Sequence, residues 1–305
     1  MNGPLVQILG PTGSGKSRVA LAVARAVGGE VISADSVQVY RGFDIGSDKL
    51  APADRGGVPH HLIDIVPDCA QFNASRFLEL AHESARGIWS RGGVPVVCGG
   101  TGLYLSVMIR GIFPEAKDPQ GREELRREAA RRGWEALRAD LERIDPAYAA
   151  KIAVNDRLRL LRALEIHRNC GLAPSEAFRL SRSPFAGCRF VRVGLQVQRP
   201  ELYRAIDARV ERMLARGLVE EVRSLLASRP PGCPPFRALG YKEIVSHLRG
   251  EIGLEEARAL IQRHSRQFAK RQLTWFRREP DIHWLPAGDV AAGVAHVRQC
   301  LSSAP

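Results

Sequence analysis

Hydrophobic and polar positions alternate in two ways along the chain, and the change between them divides it. Between residues 1 and 112, short apolar runs that end in turn residues alternate with segments whose apolar residues recur every three or four positions. "PLVQIL", "GEVISAD" and "VPVVCGG" predict strands, whereas "SRVALAVARAV" and "ASRFLELAHESARGIWSRG" predict helices. Strands that alternate with helices indicate a parallel α/β sheet.

The middle of the chain carries helical patterns only. "REELRREAARRG", "WEALRADLERID" and "NDRLRLLRALEIHRN" lie between residues 113 and 188, and Asn155 or Asp156 is expected to cap the last of them. A strand returns at "FVRVGLQV", and long helices are expected from Pro200 to about Arg229 and from about Leu254 to Arg278. We therefore predict an α/β core formed by residues 1–112 and 189–305, with a helical insertion domain at 113–188.

The segment "ILGPTGSGKS" has the spacing G-x-x-x-x-G-K-[ST] of a phosphate-binding loop. It joins a predicted strand to a predicted helix, which is the context that supports this motif. The loop consists of Gly10, Pro11, Thr12, Gly13, Ser14, Gly15, Lys16 and Ser17. Its N–H groups would surround an anion at a helix N-terminus, Lys16 would add a full charge, and the Ser17 hydroxyl could bind magnesium. The core is therefore expected to be P-loop NTPase-like, with ATP as the default ligand.

Two other predicted strands end in residues with chemical potential, at the sheet edge where open α/β sheets bind ligands. Asp35 could hold magnesium through water, act as a general base, or cap the following turn, and spacing does not distinguish these roles. The third strand ends in Cys98, Gly99 and Gly100, where an NTPase would carry its magnesium carboxylate. The turn "GGTGLY" instead brings Thr101 and backbone to the site, which suits a substrate that must be approached closely.

Charge favours a polyanionic partner, although an arginine-rich ordinary surface is the alternative. The chain has 45 Lys and Arg against 33 Asp and Glu, a formal charge of +12. One face of the helix near the C-terminus carries Arg263, Arg266, Lys270 and Arg277, and another, expected to be buried, carries Ile261, Phe268 and Trp275. No acidic residue occurs between Arg263 and Arg278, which favours a phosphate backbone as the partner. Arg157, Arg159 and Arg162 form a weaker cluster that could equally be a solvated face.

Other features exclude several classes of protein. No apolar run approaches the roughly 18 residues that span a bilayer, and no signal peptide precedes the first strand, so a soluble cytoplasmic protein is expected. The six cysteines, at 69, 98, 170, 188, 233 and 300, contain no C-x-x-C pair, and reduced thiols are expected. His60 and His61 are expected in a loop and give weak evidence for a metal.

The chain resembles the tRNA dimethylallyltransferases, or IPP transferases, over nearly its whole length. The matching segments are "GPTGSGKS", "ISADSVQVYRGFDIGSDK", "PHHLID", "GGTGLY", "NDRLRLLRALE", "RVERMLARGLVEEV", "RALGYKE" and "AKRQLTWFRR", in this order. These enzymes transfer a dimethylallyl group to N6 of the adenosine 3′ of the anticodon. The resemblance implies that the loop binds dimethylallyl diphosphate with Mg²⁺, and that Asp35 is the general base toward the adenine amine. The expected partner is a tRNA anticodon stem-loop. The protein is expected to be a monomer that does not associate with a membrane.

The resemblance carries specific roles to residues of this chain. It implies catalytic roles for Asp35, Lys16, Arg209 and Thr101, and a place around the target adenosine for Asp35, Ser36, Val37, Gln38 and Thr101. It implies RNA contacts for Arg122, Leu158, Arg159, Leu160, Leu161, Arg162, Arg237, Ala238, Leu239, Gly240, Tyr241, Lys242, Lys270, Arg271, Gln272, Leu273, Thr274, Trp275, Phe276 and Arg277. Ser17 replaces the more usual threonine, and "VNDRLR" lacks the family's proline, which leaves only the start of that helix in question.

Three alternative functions remain open at this stage. An adenylate isopentenyltransferase would use free nucleotide and would need neither the helical insertion nor the basic helix. A small-molecule kinase would need the carboxylate that is missing after the third strand. A non-catalytic RNA-binding module would need neither Asp35 nor an intact phosphate loop.

Overall fold

A sheet of six parallel strands forms the centre of the α/β unit. The structure is a computed structural model that describes residues 3–67, 69–114, 118–230 and 232–303. The strands are β1 (Leu5–Leu9), β2 (Glu30–Ser33), β3 (His60–His61), β4 (Pro95–Gly99), β5 (Phe190–Gln196) and β6 (His283–Pro286). They lie in the order β3-β2-β4-β1-β5-β6, with every pair parallel. The predicted parallel α/β fold is confirmed.

Helices surround the sheet and continue beyond it. They are α1 (Lys16–Val27), α2 (Ala74–Ser90), α3 (Gly102–Arg110), α9 (Arg199–Ala215), α10 (Leu218–Ser228), α11 (Tyr241–Leu248), α12 (Leu254–Phe276) and α13 (Val290–Ser302), where α4 to α8 belong to the insertion. The helix expected from Pro200 to Arg229 is broken in two, because Gly217 adopts the left-handed region at φ 93°. No helix among the described residues is both long and apolar enough to cross a bilayer.

Three elements at the edges were not predicted from the sequence. His60 and His61 form β3 beside β2 and not the expected loop, since two residues are too few to show periodicity. His61 Nε2 lies 2.6 Å from Glu30 Oε2, which adds a side-chain contact to the pairing. Strand β6 and helix α13 complete the other edge, where α13 packs against α1.

The insertion is a compact helical unit. Its helices are α4 (Pro119–Arg132), α5 (Trp134–Ile144), α6 (Pro146–Ala149), α7 (Arg157–Cys170) and α8 (Pro174–Arg179). Asp156 caps α7, because its side chain accepts a hydrogen bond from the N–H of Arg159. Contacts divide the chain after Met108 and after Ala186, whereas the sequence pattern placed the boundaries after residues 112 and 188.

Several buried clusters hold the α/β unit together, among them a small one around Ile206, and two larger ones position the site. One fills the space between the sheet and helices α1 and α13, with Ile8, Val23 and Val193 fully buried. The other joins the segment after β2 to helices α9 to α12, around Phe43 and Tyr241. The second cluster places the loop that follows β2 beside the loops at the carboxyl edge of the sheet.

Cysteine pairing differs from the expectation of reduced thiols. Cys69 and Cys233 form a disulfide, with Cα atoms 4.8 Å apart. This pair could not be predicted, because its cysteines are 164 residues apart and belong to no motif. The disulfide connects the segment after β3 to the segment that leads into α11.

Candidate active site

The phosphate-binding loop lies between β1 and α1, as its context required. Gly13 and Gly15 have φ values of 80° and 79°, which favour glycine, and Gly15 is the N-cap of α1. The Ser14 hydroxyl donates to the carbonyl of Pro11 at 2.8 Å and braces the turn. The loop therefore presents backbone N–H groups at the start of a twelve-residue helix, where an anion is favoured.

Lys16 lies folded back across this loop. Its ammonium donates to the carbonyl of Pro11 at 2.7 Å. Burial lowers the pKa of Lys16 from 10.5 to about 8, and the nearby Arg209 cation acts in the same direction. An anionic ligand would offset both effects, so the loop carries a cation that gains from binding a phosphate.

Arg209 reaches the loop from α9. Its Nη1 donates to Thr12 Oγ1 at 2.6 Å, and its Nε donates to Asp48 Oδ2 at 2.8 Å. The structure thus brings the guanidinium to the loop, where the resemblance placed it. Asp48, which the sequence analysis did not single out, orients this guanidinium.

Asp35 has one engaged and one available carboxylate oxygen. Its Oδ1 accepts hydrogen bonds from the N–H groups of Val37 and Gln38 at 2.8 and 3.1 Å, so Asp35 does cap the turn. Among the described residues, no hydrogen bond reaches Oδ2. Gln38 is held by Ser33 Oγ at 3.0 Å and donates to the carbonyl of Ser47 at 3.2 Å. A structural role for one oxygen therefore leaves the other available for a proton.

The turn after β4 lines the cavity with Gly99 and Gly100, and its glycines also lie against other parts of the protein. A methyl group on Gly99 would collide with Ala34, one on Gly100 with the amide of Gln272, and one on Gly102 with the ring of Trp275. Ala34 and helix α12 thus come close to these glycines, and the close approach of a substrate to this turn stays a prediction. Thr101, between these glycines, lines the cavity.

Cys98 occupies the position at which a magnesium carboxylate would be expected. Burial raises the pKa of its thiol to about 11, so the thiol is neutral at physiological pH. A neutral thiol is a poor ligand for a hard cation such as Mg²⁺. Cys98 therefore does not replace the missing carboxylate.

A cavity of about 900 Å³ connects these groups. The phosphate loop, Asp35 and Thr101 line one part of it, and residues of α9, α11 and α12 line another. The basic residues in this lining are Lys16, Arg18, Arg209, Arg212, Arg237, Lys242 and Arg271. The cavity can hold an anion, an acceptor base and a proton acceptor together.

The residues implied to contact RNA fall into three groups in the α/β unit. Lining the cavity are Ser36, Val37, Gln38, Arg237, Ala238, Leu239, Gly240, Lys242, Arg271 and Gln272. Lys270, Thr274, Trp275 and Arg277 are exposed. Tyr241 and Phe276 are buried core residues, and Leu273 packs against the cluster around Ile206. The side chains of these last three are directed toward the protein.

The basic helix also differs from its expected pattern. Phe268 and Trp275 are each 38% exposed, and the residues that face the interior with Ile261 are Ala257, Ser265, Ala269, Gln272 and Phe276. Arg266 pairs with Asp207 of α9 at 2.5 Å. The acid that is absent from the local sequence is therefore supplied by another helix.

In the insertion, only part of the implied RNA segment faces outward. Leu158 is 68% exposed, whereas Leu160 and Leu161 belong to the core of this unit. Arg159 pairs with Asp156 at 2.8 Å, and Arg162 pairs with Glu165 at 3.2 Å. Arg122 also belongs to this unit, and the described residues give its buried Nε no hydrogen-bond partner.

Several residues that shape the cavity gave no signal in the sequence. Glu221 of α10 accepts hydrogen bonds from the N–H groups of residues 44, 45 and 46 and from the hydroxyl of Tyr241. Buried Glu243 accepts from the N–H of Gly240 and lies 2.7 Å from Nδ1 of His264, which lines the cavity. The partners in these contacts are mostly distant in sequence, so no motif reports them.

The Ser17 hydroxyl could contact a magnesium ion here. Ser17 is exposed in the first turn of α1 and lines the cavity. No group of three His, Cys, Asp or Glu residues in the described chain could hold a metal. Because Mg²⁺ keeps several waters and binds phosphate oxygens, one hydroxyl fits an ion that arrives with a diphosphate.

Known proteins resemble the chain over most of its length. The IPP transferase family model matches residues 38–279, and an isopentenyl transferase model matches residues 4–58. The tRNA dimethylallyltransferase of Moorella thermoacetica is 46% identical over 288 residues, which cover 92% of this chain and 89% of the relative. That of Desulforudis audaxviator is 43% identical over 302 residues, which cover 98% and 97%.

Solved structures resemble it as well. A tRNA isopentenylpyrophosphate transferase from Bacillus halodurans has a TM-score of 0.71 and 37% identity, covering 98% of this chain and 95% of that one. A eukaryotic dimethylallyltransferase, solved acting on tRNA, has a TM-score of 0.79 and 28% identity, covering 98% and 77%. The likeness therefore includes both the α/β unit and the helical unit.

We expect inorganic diphosphate to bind more weakly as the pH rises through about 8. The Lys16 ammonium, whose pKa is lowered to about 8, is charged below that pH and neutral above it. Isothermal titration calorimetry should give a Kd that increases by up to about tenfold per pH unit above this value. Lys16→Arg keeps its charge and should lack this increase. An identical pH dependence in both proteins would contradict the role of Lys16.

Proposed function

Because the chain belongs to the IPP transferase family, we propose that it is a tRNA dimethylallyltransferase. It transfers a dimethylallyl group from dimethylallyl diphosphate to N6 of the adenosine 3′ of the anticodon, and it releases diphosphate. The observation that carries this proposal is the cavity, which is lined by the phosphate loop, by Asp35 with its available oxygen and by basic side chains. Relatives that are 43 to 46% identical carry this activity in their names and support it.

The acceptor amine needs a base. Its lone pair is delocalised into the adenine ring, so it attacks well only if a proton leaves as the new bond forms. The bond between N6 and the allylic carbon forms, the bond from that carbon to the diphosphate oxygen breaks, and the N6 proton passes to Asp35. Oδ2 is the oxygen that can accept it, since Oδ1 is held by Val37 and Gln38.

The leaving diphosphate needs compensation for its developing charge. Backbone N–H groups of the loop, the Lys16 ammonium and the Arg209 guanidinium supply it in fixed positions. When bound, Mg²⁺ would neutralise further charge on the diphosphate, with the Ser17 hydroxyl as its protein ligand. Arg209 is already oriented by Asp48, so little ordering is required when the donor binds.

The acceptor must be an extruded base, because its amine has to reach Asp35, which is only partly exposed and lines the cavity. Enzymes that act on a base within structured nucleic acid take it out of its stack. Arg237, Lys242 and Arg271 line the cavity and suit the phosphates on either side of such a nucleotide. A free nucleotide would not need these basic residues. The isopentenyl transferase match at residues 4–58 covers the part that binds the donor, so it does not indicate which acceptor is used.

Substrate choice tests the function directly. With labelled dimethylallyl diphosphate, we expect prenylation of an anticodon stem-loop that carries adenosine 3′ of the anticodon. Guanosine at that position should abolish transfer, because a carbonyl replaces the attacking amine, and a loop without its stem should react far more slowly. Equal labelling of free AMP would indicate an adenylate isopentenyltransferase, and phosphate transfer from labelled ATP would indicate a kinase.

Asp35→Asn should lower kcat by at least roughly a hundredfold, while the KM for dimethylallyl diphosphate changes little. Asparagine keeps an oxygen that can accept from Val37 and Gln38, so the turn remains while the base is lost. Steady-state kinetics at saturating stem-loop measure this effect. Asp35→Ala, which also removes the cap, should raise that KM in addition. Survival of kcat within about threefold in Asp35→Asn would rule out Asp35 as the base.

Lys270→Ala should weaken stem-loop binding and reduce the log–log salt slope by about 0.7 to 0.9, the value for one lost phosphate contact. Lys270 is exposed, and no salt bridge to it occurs among the described residues. Arg266→Ala is a control one turn away, since Asp207 already compensates that charge, and its slope should stay near the wild-type value. Fluorescence anisotropy at several salt concentrations measures both slopes. Equal slopes in wild type and Lys270→Ala would make the lysine a solvated surface residue.

A further inference from the structure

Gln272 faces inward from the helix that is proposed to meet RNA. It is 7% exposed and lines the cavity together with the adjacent residue Arg271, which is exposed. The resemblance implied an RNA contact for both residues. The burial of Gln272 gives it surroundings made of protein, and its polar atoms must find partners there.

Both ends of the Gln272 amide are bound to backbone of the active site. The N–H of Thr12 in the phosphate loop donates to Oε1 at 2.8 Å, and Nε2 donates to the carbonyl of Gly100 at 2.9 Å. These partners lie 260 and 172 residues away in sequence. One side chain of α12 therefore joins the phosphate loop to the turn after β4.

The two attachment points belong to the two sides of the reaction. The Thr12 hydroxyl accepts a hydrogen bond from Arg209, so Thr12 lies on the side of the diphosphate. Gly100 precedes Thr101, which lines the cavity and which the resemblance places beside the target adenosine. A change in the spacing of these two loops would change the distance between donor and acceptor.

We propose that Gln272 is a positioning residue, which fixes the phosphate loop relative to the Thr101 turn so that the allylic carbon and the amine are aligned. This inference rests on the proposed function. A misplacement of about 1 Å between reacting groups can cost on the order of a hundredfold in rate. The effect should therefore appear mainly in kcat and, through Thr12, to a smaller extent in diphosphate affinity.

Gln272→Met tests this role, because methionine has a similar length and makes neither hydrogen bond. We expect kcat at saturating substrates to fall by at least roughly tenfold and the Kd for inorganic diphosphate to rise about threefold to tenfold, the effect of one lost hydrogen bond. The Kd for the stem-loop should stay within about twofold. Gln262→Met is the matched control, since Gln262 lies on the same helix and bonds to Glu211 outside the cavity lining.

A second variant approaches the same contact from the other side. A methyl group on Gly100 would displace the Gln272 amide, so Gly100→Ala should lower kcat in the same way. Because both changes break the contact between Gln272 and Gly100, the double variant should lose much less than the product of the two single losses. Circular dichroism shows whether Gln272→Met folds. If it does not, the same measurements are made on Gly100→Ala and on Gln272→Glu, whose carboxylate can still accept a hydrogen bond from the Thr12 N–H. If the reductions in kcat of the two single variants multiply fully in the double variant, the two changes act independently and the shared contact is contradicted.

Two other outcomes would overturn the proposal. A weaker stem-loop affinity with unchanged kcat and diphosphate affinity would make Gln272 an RNA contact, as the resemblance implied. Values within about twofold of the wild type in all three measurements would leave it no role. If the wild type prenylates no RNA, the proposed function fails, and the diphosphate affinities of Gln272→Met and Gln262→Met still decide whether Gln272 shapes the phosphate loop.

Discussion

The loops at the carboxyl edge of the sheet keep their shape because side-chain oxygens accept hydrogen bonds from their backbone N–H groups. Glu221 accepts hydrogen bonds from the three consecutive N–H groups of residues 44–46. Glu243 accepts one from the N–H of Gly240, and Gln272 accepts one from the N–H of Thr12. A buried N–H without a partner costs about 1 to 3 kcal/mol. The conformation of each loop therefore depends on the helix that supplies its acceptor, namely α10, α11 or α12.

The same principle gives Asp35 two simultaneous roles. One oxygen stabilises the turn after β2, and this fixes the direction in which the other oxygen points. Lys49 secures the next part of this segment, where its buried ammonium lies 2.7 and 2.6 Å from carboxylate oxygens of Asp44 and Asp64. These contacts hold the proposed general base in place although it lies on a loop, which lowers the cost of ordering it when substrate binds.

Residues close together in the sequence were predicted well, and contacts between distant residues were not. The phosphate loop, the parallel strands and the cap of α7 follow from local patterns. Strand β3 was missed because two residues show no period, and the disulfide because its cysteines belong to no motif. Periodicity marked the basic face of α12 but could not reveal that Asp207 lies opposite Arg266. Helical spacing gives the neighbours on one helix, whereas the acid comes from another helix through the tertiary fold.

Helix α12 leaves Arg271 exposed and holds the Gln272 amide between the phosphate loop and Gly100, although the two residues are adjacent. Consecutive residues of an α-helix are rotated by about 100° around its axis. An insertion or deletion of one residue inside the helix, upstream of Gln272, would therefore move an unrelated side chain into the slot between the phosphate loop and Gly100. Length variation in this part of the protein should be restricted to the loop at 249–253 that precedes the helix, while substitutions at exposed positions such as Gln267 and Thr274 leave the register intact.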